Sequence, residues 1–135
     1  MEIGLKEFES NLSTYFSRQV VCVSSGTAAL QLALESCNFT FGDQVLVPTL
    51  TYVASFQAIS ATGAKPIMCD IDENSLQICL KSIKKNISKK TKVIMPVHYS
   101  GSVGRFTELI TLAKKKNLRI VEDAAHAFGT KFKNK

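Results

Sequence analysis

The sequence predicts an α/β protein, a three-layer α/β/α arrangement around a mostly parallel sheet. Two observations carry this. Short apolar runs alternate with stretches of helical periodicity, strand then helix, along most of the chain. The runs themselves, such as VLVP at 45–48 and KVIMPV at 92–97, are almost continuously apolar, as expected of strands covered on both faces.

The elements follow in order. Leu5, Phe8, Leu12, Tyr15 and Phe16 recur at helical spacing and predict an amphipathic helix over 4–17. Repeated strand–helix units then occupy 20–122. Val20–Val23 reads as the first strand, Ser24-Ser25-Gly26-Thr27 as a turn, and ALQLALESC as the helix after it. Phe41-Gly42-Asp43 turns the chain into the strand VLVP, and a helix over 51–61 follows, closed by Gly63. Pro66–Ile71 is a third strand, running into an acidic turn at 70–74. Residues 75–78 take no assignment. Leu80, Ile83 and Ile87 predict a short helix over 79–87. Lys92–Val97 is a fourth strand and 101–104 a loop. Phe106, Leu109, Ile110 and Ala113 form one face of a last helix, and Leu118–Val121 a fifth strand.

Composition narrows the function. The net charge is +6, from 17 Lys+Arg against 11 Asp+Glu. The excess sits in Lys84-Lys85, Lys89-Lys90 and Lys114–Lys116, near predicted helix C-termini, where cations complement the dipole and stay solvated. No aromatic side chains are interleaved as stacking platforms, so no nucleic-acid partner is expected. Cys22, Cys37, Cys69 and Cys79 show no C-x-x-C spacing and read as small buried thiols. Two histidines without a paired motif offer no metal site. The N-terminus lacks a basic segment followed by an apolar core, and no run approaches the roughly 18 apolar residues of a membrane span. The expectation is a cytoplasmic protein with no membrane partner.

Parallel sheets bind ligands beyond the carboxyl ends of their strands. Four features fall there: Ser24–Thr27, Thr49–Tyr52, His98-Tyr99 and Glu122–His126. SSGTAAL either caps a helix or offers its N–H groups to a phosphate. Tyr52 is either a core aromatic or a flat partner for a planar ring. In VEDAAHAFG, Glu122 and Asp123 face opposite ways along a strand. A carboxylate here either caps a turn or faces a cationic ring nitrogen, which it keeps protonated. His126 can hydrogen-bond nearby. The residues alone leave each of these pairs open.

Taken together, VSSGTAALQLAL, VLVPTLTYVASFQAISATGAKPIMCDID, KVIMPVHYSG and RIVEDAAHAFG resemble the DegT/DnrJ/EryC1/StrS sugar aminotransferases in order and spacing. These are pyridoxal-phosphate-dependent enzymes of aspartate-aminotransferase fold type I, and the resemblance runs from LKEFE nearly to the end. It implies pyridoxal 5'-phosphate as cofactor. Gly26 and Thr27 match the phosphate-binding turn, and Tyr52 the aromatic stacked on the pyridine ring. Asp123 matches the carboxylate paired with the ring nitrogen, and His126 the residue beside the 3-hydroxyl. The implied reaction moves an amino group from an amino acid, expected to be glutamate, to the keto group of a nucleotide-linked sugar in surface-polysaccharide biosynthesis. Family members are generally homodimers.

The departures matter as much. The family's Schiff-base lysine lies beyond the EDAAHA segment, in a serine- and histidine-containing strand region. Lys131, Lys133 and Lys135 are too close to Asp123 and carry no such motif, so no catalytic residue is assigned in this chain. Residues 1–135 are expected to form a partial transferase large domain, without its last strands or the small domain, and inactive alone. Three other readings compete: a non-catalytic remnant or half of a split protein, the pyridoxamine-phosphate-dependent sugar dehydratase branch, and an unrelated phosphate-binding α/β domain. In the resembled fold the first strand lies beside the seventh. Val20–Val23 is therefore expected to be broken or misplaced, with 45–122 intact. The helix near Cys79 lacks the acidic start usual in the family.

Overall fold

A computed structural model of the chain describes residues 4–133. Four parallel strands form the sheet in the order β2-β1-β3-β4. They are β1 (Gln44–Pro48), β2 (Lys65–Cys69), β3 (Thr91–Ile94) and β4 (Arg119–Ile120). The helices are α1 (Leu5–Phe16), α2 (Gly26–Glu35), α3 (Val53–Ala61), α4 (Leu80–Asn86) and α5 (Phe106–Lys116). β1 sits centrally, paired with β2 from Gln44↔Lys65 to Pro48↔Cys69 and with β3 at Val45↔Val93 and Leu46↔Ile94.

The pleat sorts the apolar runs onto two faces. Val45, Val47, Val93 and Met95 pack on one side with Leu34 of α2 and Ala58 and Ile59 of α3. Leu46 and Ile94 point the other way, onto Ile83 of α4 and Leu109 and Ala113 of α5. That is the three-layer arrangement expected from the continuous runs. Two of the three lysine clusters close helices, Lys84-Lys85 in the last turn of α4 and Lys114–Lys116 in that of α5, while Lys89-Lys90 lie in the turn before β3. All four cysteines are free, and Cys69 is fully buried, with burial pushing its thiol pKa up. The other three are only half-buried, short of the expectation.

Three corrections concern elements. Val20–Val23 forms no strand. Its backbone is tied instead to α1 side chains, Val20 N–H donating to Ser13 Oγ at 3.0 Å and Cys22 N–H to Glu9 Oε1 at 2.7 Å. No described strand lies beside it to complete a ladder, which is the outcome expected from the resemblance. Helix α2 starts three residues earlier than ALQLALESC, because Ser25 is its N-cap and accepts from Ala28 N–H at 3.2 Å. Helix α3 starts at Val53, which leaves Tyr52 at the N-cap rather than in the first turn.

The unassigned residues 75–78 form a turn. Asp72 Oδ1 accepts from Ser75 N–H and Oγ–H, both at 3.0 Å, Leu76 sits at φ 58°, and Ile78 bridges back to Ile71. Cys79 caps α4 with no side-chain bond, in line with its missing acidic start. Among the described residues no helix is long and apolar enough to cross a membrane.

Candidate active site

The carboxyl ends of β1, β3 and β4 converge on one place. After Ile94 the chain stays beside β4 for several residues, so Val97 bridges Asp123 in parallel. Asp123 N–H donates to Pro96 O at 2.9 Å, and His98 N–H donates to Asp123 O at 3.0 Å. The backbone of Asp123 is therefore fixed on both sides before its side chain makes any contact.

Asp123 is buried, 8% exposed as a residue. Its Oδ2 accepts from Ser55 Oγ–H at 2.9 Å, and its Oδ1 accepts from Ala125 N–H at a longer 3.3 Å. Ser55, fully buried on α3, lies 2.6 Å from Thr51 Oγ1. Sequence reading missed Ser55, although a signal was present. Ala54, Ser55, Ala58 and Ile59 make up the buried stripe of α3, and a hydroxyl on such a stripe needs a partner.

A second pair also went unassigned. His98, 3% exposed, holds Glu122 Oε2 at 2.7 Å through Nε2, while its Nδ1 has no partner among the described residues. Glu122 and Asp123 do face opposite ways: the first meets His98, in the segment beyond β3, and the second points to Ser55 of α3.

Above Asp123 opens a cleft of about 300 Å³, lined by Thr51, Tyr52, Val97, Tyr99, Asp123 and His126 among others. A second hollow of about 440 Å³ against α2 shares Tyr52, Asp123 and His126 with it and adds Gly26 and Thr27. All five residues singled out from sequence thus line the second hollow, and three of them the first as well, each of a size that holds small ligands. Tyr52 is 77% exposed, so it is not a core aromatic. His126 is exposed in the turn after Asp123, its ring edge-on to Tyr99 at 6.0 Å.

At α2 the capping reading of SSGTAAL is seen directly. Ser25 caps Ala28, while the N–H groups of Gly26 and Thr27, at the first two helical positions, have no acceptor among the described residues. A Cβ built on Gly26 would meet nothing within 4 Å. The fold does not need glycine there; what the glycine leaves is room at a helix N-terminus, where an anion is favoured.

A sequence profile of the DegT/DnrJ/EryC1/StrS aminotransferase family matches residues 4–135. The GDP-perosamine synthase of Escherichia coli O157:H7 is 48% identical over 113 residues, 84% of this chain and 31% of that protein. The GDP-perosamine synthase of Vibrio cholerae is 39% identical over 127 residues, 93% of this chain and 35% of that one. Among solved structures, NtdA from Bacillus subtilis with bound cofactor PMP matches with a TM-score of 0.85 at 35% identity, over 89% of this chain and 28% of that one. The chain spans about a third of the length of these relatives.

Proposed function

The chain belongs to the DegT/DnrJ/EryC1/StrS aminotransferase family, and from that membership we propose that it carries the cofactor pocket of a cytoplasmic sugar aminotransferase. The family's cofactor is pyridoxal phosphate, which alternates with its aminated form, PMP. The proposed substrate is a keto sugar on a nucleotide carrier, consistent with relatives named for GDP-perosamine, with glutamate as amine donor and a homodimer as the working assembly.

The observation that supports this most is the buried Asp123 in the lining of the cleft, whose two carboxylate oxygens accept one hydrogen bond each and so keep acceptor capacity to spare. The residues present fit the cofactor. The free N–H groups of Gly26 and Thr27, with the space beside Gly26, suit its phosphate. The exposed ring of Tyr52 suits its pyridine face, and His126 a hydroxyl on the ring. When bound, pyridoxal phosphate supplies an electron sink for the carbanion formed in transamination.

In this reading Asp123 holds a proton on the ring nitrogen, since an opposite charge at hydrogen-bond distance favours the charged form. Tyr52 restricts the tilt of the ring. The backbone clasp of Pro96, His98 and Asp123 keeps the carboxylate from following the loop beyond it. No lysine of this sequence carries the family's cofactor-bearing motif, so the contribution proposed for this chain is binding and orientation.

The test is to titrate the chain with pyridoxal phosphate and follow its absorbance and the thermal unfolding midpoint. Binding is expected, and Asp123→Asn is expected to weaken it roughly tenfold or more, because a charge-assisted hydrogen bond is lost. No binding by the wild-type chain, or equal binding by Asp123→Asn, would overturn the proposal.

A further inference from the structure

Asp123 is not left to orient itself. Its inner oxygen is engaged by a hydroxyl that is fully buried, and that hydroxyl has a second neighbour at 2.6 Å. Each hydroxyl carries one hydrogen and two lone pairs. A carboxylate in the ionised form that a cationic ring nitrogen requires can only accept. Ser55 therefore directs its hydrogen to Asp123 Oδ2 and has none left for Thr51. The 2.6 Å contact must be filled by the hydrogen of Thr51 Oγ1. The polarity of the whole row follows from the charge at its end: Thr51 donates to Ser55, and Ser55 to Asp123.

We propose that Ser55 is a positioning residue for the cofactor ring and that Thr51, through it, is a second. This rests on the reading of Asp123 as the partner of the ring nitrogen. Two consequences follow from the geometry. The Asp123 carboxylate is held at Oδ2 from the α3 side, which stops rotation about its terminal bond and turns its remaining acceptor capacity toward the cleft. Thr51 lines that cleft and, having spent its hydrogen, presents only lone pairs to it. The row thus offers acceptors alone to a ligand, which suits a protonated ring nitrogen better than a neutral one.

Helix α3 explains why the two hydroxyls meet. Thr51 and Ser55 are four residues apart, and Ser55 lies at the third position of a helix whose N-cap is Tyr52. The same helix start therefore sets the flat ring and the hydroxyl row at once. Removing the Ser55 hydroxyl leaves Asp123 with the 3.3 Å bond from Ala125 N–H as its remaining side-chain hydrogen bond. A carboxylate held so loosely loses orientation before it loses charge.

The test compares pyridoxal phosphate with its 1-deaza analogue, which has carbon in place of the ring nitrogen, on the whole chain. Wild type should prefer the nitrogen-bearing cofactor by roughly ten- to a hundredfold, the range of a charge-assisted hydrogen bond. Ser55→Ala should lower affinity for pyridoxal phosphate roughly tenfold and leave the deaza analogue and inorganic phosphate unchanged. A structural defect would weaken all three. Thr51→Val should reproduce part of the loss, roughly threefold, and Thr51→Ser should restore it. If wild type binds both cofactors equally, the pairing of Asp123 with the ring nitrogen is wrong, and this inference goes with it. If wild type discriminates and both Ser55→Ala and Thr51→Val discriminate as well, only the positioning role is overturned.

Discussion

Two stretches of this chain read as equally apolar in sequence and end differently in the fold. Residues 43–123 bury Leu46, Ile59, Ile83 and Ile94 completely, between a sheet and helices on both its faces. Residues 5–23 hold an amphipathic helix that buries no residue, with Leu5, Phe8 and Tyr15 about half exposed or more, and a segment that fails to become a strand. Its two polar bonds, Val20 to Ser13 and Cys22 to Glu9, stay inside the stretch, and an aromatic group in which Tyr15 and Phe16 meet Phe128 reaches out of it. Periodicity reports that a segment has an apolar face. Whether the face is covered depends on what else arrives: the block 43–123 is completed on one face by Leu34 of α2, and nothing comparable covers α1 among the described residues.

The sharpest way to break this contrast is to carve a cavity in the well-packed block. Leu46→Ala removes a fully buried side chain from the centre of one face and should cost about 2–5 kcal/mol. A urea unfolding series would read this as a lower midpoint at unchanged slope. A loss below about 1 kcal/mol would mean that the α4–α5 layer is far looser than its burial implies.

The same contrast shows where sequence is legible. VLVP and KVIMPV announced buried strands because both faces of each are apolar, and the helices between them followed from spacing. Tyr52, Asp123 and His126 follow the parallel run of the sheet, which brings their segments together, whereas Gly26 and Thr27 follow no strand and reach the same hollow from the start of α2. Ser55 was hidden by its surroundings, one hydroxyl among apolar neighbours whose partner lies 68 residues away. The pairing of His98 with Glu122 was hidden by distance too, 24 residues that only the parallel bridge at Val97 and Asp123 closes. Val20–Val23 reads as a strand from its own residues, and only the resemblance predicted that it would be broken. A strand is a relation between neighbours, and a single run of valines says nothing of whether the neighbour is there.

A second, smaller effect lies at the turns that brace the block. Asp72 is held below the ordinary carboxylate range by the N–H and then the hydroxyl of Ser75, and Asp43 is lowered chiefly by the N–H of Thr40. A carboxyl whose value is lower when folded adds stability that is complete above its unfolded value, roughly 3.9, and is lost as pH falls through the folded one. The urea midpoint should therefore be flat near neutrality and fall below about pH 4. Asp72→Asn should start lower at neutral pH and show a shallower acid slope. A variant whose slope matches wild type would remove Asp72 from the explanation.

The smallest expected effect is the most direct test of the contrast. Phe8 is 49% exposed on a helix with no buried residue, so Phe8→Ala gives up little burial. Alanine is also the better helix former, by up to about 0.7 kcal/mol, which offsets part of what is lost. The net change should stay within about 0.5 kcal/mol, inside the range of ordinary surface substitutions. Amide exchange should agree, with α1 opening at far lower cost than β1 and β3. Should Phe8→Ala instead cost more than about 1.5 kcal/mol, the helix face is covered in solution. Repeating the measurement at several protein concentrations would then identify the cover, because a face packed on a second copy loses stability on dilution and one packed within the chain does not.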